Sequence, residues 1–79
     1  MNAGERAVQC AMHYARHSEP AGREWNLCVV TVTGFGCLRG PVKSCQVGVL
    51  TMDNLETKHT VYVNTDHIVA AWIEFKEGQ

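Results

Sequence analysis

The chain has 79 residues, a net charge of −1 at pH 7, and 46% hydrophobic but only 19% charged residues. This length fits a single domain spanning residues 1–79 and excludes two domains. The nearly neutral charge excludes the basic excess that is typical of a dedicated nucleic-acid binder. A small monomer with so few charged residues covers its own surface poorly, so we expect a homo-oligomer.

Signals for targeting and for disulfide bonds are absent from the sequence. No apolar run reaches the roughly 18 residues that a membrane-spanning helix needs, so we expect no membrane partner. The first six residues lack the basic-then-apolar order of a secretory signal. Four cysteines, Cys10, Cys28, Cys37 and Cys45, are irregularly spaced and form no Cys-x-x-Cys motif. We therefore expect a cytoplasmic protein whose cysteines are reduced and mostly buried.

The first predicted element is an amphipathic helix over residues 5–17. Apolar residues recur at helical spacing along one face, namely Ala7, Val8, Ala11, Met12 and Ala15. Asn2 is positioned as the N-cap, with Glu5 three residues later as in a capping box. Pro20 and Gly22 end the helix, because proline cannot continue it and glycine frees the backbone.

Five strands joined by short turns are predicted after the helix. β-branched and apolar runs predict strands over residues 27–33, 37–45, 47–52, 57–63 and 68–75. Gly40 and Pro41 interrupt the second run and predict a sharp bend with the loss of one ladder hydrogen bond. The predicted fold class is α+β, with an N-terminal helix followed by a bent five-stranded antiparallel sheet or a small SH3-like barrel.

The last predicted strand, residues 68–75, is apolar on both alternating faces. A strand on a one-sided sheet alternates apolar and polar residues, so each face of this strand needs a cover. Its position at the end of the chain also suits a sheet edge, where unpaired backbone groups invite pairing with another chain. We expect it to form the oligomer interface, through Ile68, Ala70, Trp72 and Phe75.

This order of elements resembles the Sm-like family, in which an N-terminal helix precedes a strongly bent five-stranded sheet that closes as a small barrel. Two segments carry the resemblance. Residues 63–68 have the spacing of the family's second motif, and a glycine–hydrophobic–glycine–hydrophobic pattern is formed by Gly36, Leu38, Gly40 and Val42. The resemblance implies an Sm-like barrel, rings built edge to edge, and contact with RNA.

The chain departs from the Sm-like pattern at the positions that hold a base in that family. The resemblance implies an aromatic and an acidic or amide residue after the second strand, but Cys45 and Gln46 occupy these positions. The family's Arg-Gly pair is replaced by Asn64 and Thr65. Base stacking needs an aromatic or guanidinium face, so we expect the barrel to lack the family's RNA site.

The polar face of the predicted helix carries histidines and arginines. His13 and His17 are spaced to chelate one ion, but Cys10 lies about 10 Å from His17 along the axis, so we assign no metal site. Histidine takes up a proton near pH 6.5, which makes this face strongly positive in mild acid. We predict that Arg6, His13, Arg16 and His17 bind RNA or another anion weakly; the alternative is a plain polar helix face.

No catalytic constellation is predicted. Asp66 and His67 have no nucleophile in a motif beside them, and turn formation, with Asp66 as an Asx-type acceptor, explains the pair. We therefore expect neither an enzyme nor a cofactor. The residues favour a small non-catalytic oligomeric binding module of Sm-like type, with weak RNA or anion binding. The alternative is a structural or protein-interaction accessory that binds no nucleic acid.

Overall fold

The computed structural model describes residues 2–18, 22–32 and 36–76. Helix α1 spans Ala3–Arg16. Asn2 is the N-cap, as predicted, because its side-chain oxygen accepts the backbone N–H of Glu5 at 2.7 Å. Glu5 does not complete a capping box, since its carboxylate accepts the backbone N–H of Gly48 at 2.9 Å instead. The predicted helix stop at Pro20 lies outside the described residues.

Six strands follow the helix, and the predicted α+β class is confirmed. They are β1 (Trp25–Thr31), β2 (Cys37–Gly40), β3 (Val42–Gln46), β4 (Val49–Asp53), β5 (Thr60–Asn64) and β6 (Ile68–Phe75). A 3₁₀ turn over Thr65–His67 separates β5 from β6. The side chain of Asn64 accepts the backbone N–H of Asp66 at 2.9 Å, so Asn64, and not Asp66, is the Asx acceptor of this turn.

The strands form two antiparallel sheets, in the orders β2-β1-β6 and β3-β4-β5. The prediction of one strand over residues 37–45 is therefore wrong, because this segment divides at Pro41 into strands of different sheets. The six strands of the described ranges form no single five-stranded sheet and do not close into a barrel. Pro41 has no backbone N–H to donate, so a continuous ladder of hydrogen bonds cannot run through this residue. The predicted turn between the first two strands falls largely outside the described residues.

Gly40 lets β2 run into β3 at a sharp bend, as predicted. A Cβ atom at this position would overlap the backbone carbonyl of Asp53. On one side of the bend, the backbone N–H of Leu55 donates to the carbonyl of Arg39 at 2.9 Å. On the other side, the backbone N–H of Asp53 donates to the carbonyl of Pro41 at 3.0 Å. The chain therefore passes from one sheet to the other at this bend, and hydrogen bonds on both sides of the bend hold the two sheets together.

The hydrophobic core lies between α1 and the two sheets. It consists of Val8, Met12, Leu27, Val29, Leu50, Met52, Val63 and Ile68, each at most 8% exposed. Burial of one such side chain contributes roughly 1.5–3 kcal/mol relative to leaving it in water. The core thus fastens the helix to both sheets. Within the described part of the chain, no helix is long and apolar enough to cross a membrane.

The cysteines are less buried than predicted. Cys28 is buried and Cys45 is half-buried, whereas Cys10 and Cys37 are exposed. The polar face of α1 holds Cys10, and Cys37 begins the outer strand β2. Both positions face solvent because no element of the described chain covers them.

Candidate functional site

The residues predicted to bind anions lie on the solvent side of α1. Arg6, His13, Arg16 and His17 are all exposed, and we call these four residues the basic helix face. The structure brings the first three together around a shallow depression of about 410 Å³. His17 lies one helical turn beyond His13, at the C-cap of the helix. The four predicted residues therefore form one continuous surface.

Gln9 extends the basic helix face, although the sequence predictions do not include it. It lies three residues after Arg6 and four before His13, so helical periodicity places it on the same face. It lines the depression, and its side-chain N–H donates to the carbonyl of Cys45 at 3.0 Å. Periodicity is the signal that identifies Gln9, but a neutral amide by itself does not indicate anion binding.

Among the described residues, no carboxylate neutralises the arginines of the basic helix face. Neither Arg6 nor Arg16 forms an ion pair with a residue in the described ranges, whereas three cations elsewhere in the chain are paired. The carboxylate of Glu5, next to Arg6 in sequence, is buried and bonds the backbone of Gly48. Each free guanidinium offers five N–H donors in a planar fork, which is the geometry that binds phosphate in pairs of hydrogen bonds.

His13 and His17 stand side by side in the last turn of α1. Their ring centroids are 4.3 Å apart, with the ring planes inclined by 43°. The negative end of the helix dipole attracts positive charge at this terminus. Among the described residues, no group of three or more His, Cys, Asp or Glu side chains is arranged to hold a metal ion.

Thr65 and Cys45, two of the positions at which the chain departs from the Sm-like pattern, lie against the N-terminal half of α1. The backbone N–H and the hydroxyl of Thr65 each donate to the carbonyl of Gly48 at 3.0 Å, and Asn2 donates to that hydroxyl at 2.7 Å. Burial raises the pKa of the Cys45 thiol, and the nearby Glu5 carboxylate acts in the same direction. These groups hold the helix against the sheets and supply no face on which a base can stack.

The predicted interface residues of β6 have different surroundings. Ala70 and Trp72 are exposed, the latter by 43%. Ile68 is 8% exposed and belongs to the core of its own chain. Phe75 is half-buried, with its ring centroid 6.1 Å from that of Tyr14 in α1. The helix therefore covers one side of β6, and the opposite side keeps its exposed apolar residues.

β5 and β6 each lie at one edge of their sheet, with β3 and β2 at the opposite edges. In the described part of the chain, β5 is hydrogen-bonded only to β4, and β6 only to β1. Each also carries a large exposed hydrophobic side chain, Tyr62 at 74% and Val69 at 61%. A cavity of about 250 Å³ lies between the sheets beside β5, lined by Thr31, Leu38, Val61, Tyr62, Val63, Asn64 and His67. Both sheet edges are therefore available to another chain.

A family model described as "Domain of unknown function (DUF6897)" matches residues 28–74, more than half of the chain. The chain belongs to the DUF6897 family. The matched segment runs from β1 to β6, so what is shared with the DUF6897 family is the pair of sheets, and α1 lies outside the match. No curated protein and no solved structure matches this DUF6897 chain.

Proposed function

We propose that this DUF6897 protein is a small, non-catalytic, oligomeric binding module of Sm-like type that binds RNA or other polyanions weakly. The basic helix face provides the binding surface. The observation that carries this proposal is the pair of guanidinium groups of Arg6 and Arg16, which share one depression with His13 and form no ion pair with any residue that the structure describes. Phosphates attract such free cations, and their binding releases counterions from the nucleic acid.

The order of the strands supports the Sm-like part of the proposal. If β2 and β3 are counted as one strand bent at Gly40, the order becomes β6-β1-β2/β3-β4-β5. Counted in this way, the helix and the strands follow one another along the chain as the family resemblance implies, although the strands lie in two separate sheets. Within the part of the chain that the structure describes, its two outer strands pair on one side only, which favours assembly of copies edge to edge.

Fluorescence anisotropy with a labelled single-stranded RNA tests the role of the basic helix face. We expect the R6A/R16A variant to bind more weakly than the parent at low salt and pH 6. The slope of log affinity against log salt should also fall by about 1.4, because each phosphate contact on a single strand contributes about 0.7. Equal binding by the parent and the variant would contradict the proposed surface.

The matched control is K43A/K76A, which removes the same number of positive charges from two lysines engaged in surface ion pairs. This variant should bind RNA nearly as well as the parent, because exposed ion pairs contribute little and these cations are already neutralised. Absence of any binding by the parent at low salt would instead favour the structural or protein-interaction role. The exposed side chains of Tyr62, Val69 and Trp72 fit that second role.

A further inference from the structure

The side chain of Asn26 is buried without a hydrogen bond to any residue that the structure describes. Asn26 belongs to β1, the middle strand of the first sheet, and is 6% exposed. A carboxamide has an acceptor oxygen and an NH₂ group with two donors, and it costs free energy to leave such groups unpaired in the interior. The Asn26 amide is therefore available to a partner from outside the described chain.

The Asn26 amide faces a cavity at the start of β1. This cavity has a volume of about 340 Å³, and Asn26 is part of its lining. Among the described residues, every side-chain nitrogen or oxygen atom that is fully enclosed has a hydrogen-bond partner. Because the Asn26 amide has none, its polar atoms are not fully enclosed and must lie at the surface of the cavity. The volume is in the range of small-molecule sites.

Backbone hydrogen bonds hold the walls of this cavity in place. The N–H of Lys76 donates to the carbonyl of Glu24 at 3.0 Å, which closes the end of the sheet beside the cavity. The N–H of Asp53 donates to the carbonyl of Pro41 at 3.0 Å, and the N–H of Leu55 is bonded to the same bend. The cavity is therefore formed without a ligand, as most small-molecule sites are.

The charged groups around the cavity are engaged with their own chain. The Lys76 ammonium lies 3.3 Å from the carboxylate of Glu24, and the Arg23 guanidinium lies 4.0 Å from the centroid of the Phe75 ring. Apart from Gly22 and Asn26, the other lining residues are apolar, namely Trp25, Pro41 and Leu55. These surroundings favour a neutral ligand, because a charged ligand would lose its hydration and find the nearby charges already paired.

We propose that this cavity, which we call the Asn26 cavity, binds a small neutral ligand that carries an amide group on an apolar body. Two amides pair through two hydrogen bonds, since each offers an N–H donor beside a carbonyl acceptor. The apolar body of the ligand contacts the apolar part of the lining. Aromatic carboxamides have this form. The Asn26 cavity shares no residue with the basic helix face, so this function is separate from the binding of polyanions.

Nuclear magnetic resonance titration of the isotope-labelled protein with benzamide tests the Asn26 cavity. We expect benzamide to shift the side-chain N–H resonances of Asn26. Acetophenone has nearly the same shape, with a methyl group in place of the NH₂ group, and should bind up to about tenfold more weakly, which corresponds to the loss of one hydrogen bond. Unchanged Asn26 resonances at the solubility limit of benzamide, or equal affinities for the two probes, would overturn the assignment.

The N26L variant nearly keeps the volume of the side chain and removes its polar atoms. It should lose the preference for benzamide over acetophenone. Its midpoint in urea should also lie above that of the parent, because an unpaired buried amide has been removed. A preference that survives in N26L, or a midpoint below that of the parent, would contradict the role of Asn26.

Q46L is the matched control, since it removes an exposed amide of β3 and should change neither the preference nor the midpoint. The R6A/R16A variant should bind benzamide as the parent does, because both arginines lie outside the Asn26 cavity. A loss of benzamide binding in R6A/R16A would place the probe on the basic helix face and overturn the assignment.

Discussion

Val47 is a β-branched residue in a backbone conformation that favours glycine and asparagine. Its φ is 54° and that of Gly48 is 77°, so both central residues of the β3–β4 hairpin have positive φ, as in a type I′ turn. The Val47 side chain is 93% exposed and gains nothing from burial. We expect V47N to raise the free energy of unfolding by about 1 kcal/mol, because the left-handed conformation costs roughly 1–2 kcal/mol for most residues.

Urea denaturation at fixed protein concentration measures this effect as a higher midpoint with an unchanged slope. The control is V69N, which changes an equally apolar, exposed residue within β6 and should give no gain, since asparagine is disfavoured in strands. A lower midpoint for V47N would mean that the Val47 side chain makes stabilising contacts, contrary to its exposure.

Cys28 links the stability of the protein to pH. Burial, together with the neighbouring Cys37 and Glu74, raises its pKa from 9.0 to about 11. The folded state therefore keeps this proton at a pH where the unfolded chain has lost it. The resulting contribution to stability is present below pH 9 and is lost as the pH rises towards 11. Denaturation of the parent and of C28A across this range should show a smaller decline for C28A, and parallel declines would contradict the linkage.

Helix α1 combines an anchored start with an exposed, titratable end. The N-cap residue Asn2 donates a hydrogen bond to the turn that precedes β6, and the buried Glu5 accepts one from the turn that precedes β4. Its last turn carries His13 and His17, open to solvent. The anchored N-terminal part of α1 keeps the basic helix face in place. We therefore expect a change of charge at the C-terminal end of the helix to alter binding and not the fold.

The histidines of α1 should make RNA binding depend on pH. Affinity should be higher in mild acid than at neutral pH, because protonated imidazoles add positive charge to the basic helix face. In the H13Q/H17Q variant this dependence should be largely lost. H59Q/H67Q is the matched control, since it removes the chain's other two histidines from outside the helix. Anisotropy titrations at pH 5.5 and 7.5 measure the difference, and an unchanged pH dependence in H13Q/H17Q would contradict this role.

At the scale of the whole molecule, free sheet edges and a small core favour assembly. A chain of this size buries only about 60% of the surface that its unfolded form exposes. Light scattering should therefore give a mass that is a multiple of 8.8 kDa at micromolar concentration. A70E, which places a charge on the exposed side of β6, should lower that mass, whereas A3E, on the exposed start of α1, should not. A monomeric parent would contradict the oligomer.

Local signals in the sequence predicted the parts of this fold that neighbouring residues determine. The 3.6-residue period of α1, the cap at Asn2 and the bend at Gly40 each depend on a few consecutive residues and their backbone preferences. The residues of the basic helix face could be grouped for the same reason, because helical spacing alone brings them together. That Arg6 and Arg16 form no ion pair within the described ranges could be learned only from the structure, since it depends on where Glu5 and the other described carboxylates lie.

Contacts between distant residues were decided by the tertiary structure. The division of residues 37–45 between two sheets depends on which strands pair on each side of Pro41. The burial of Ile68 depends on the helix that packs over β6. The sequence by itself determined the helix, the apolar strands and the bend, because short-range periodicity and backbone sterics encode them. Strand partners, register and charge pairing arise only when segments far apart in the chain pack together.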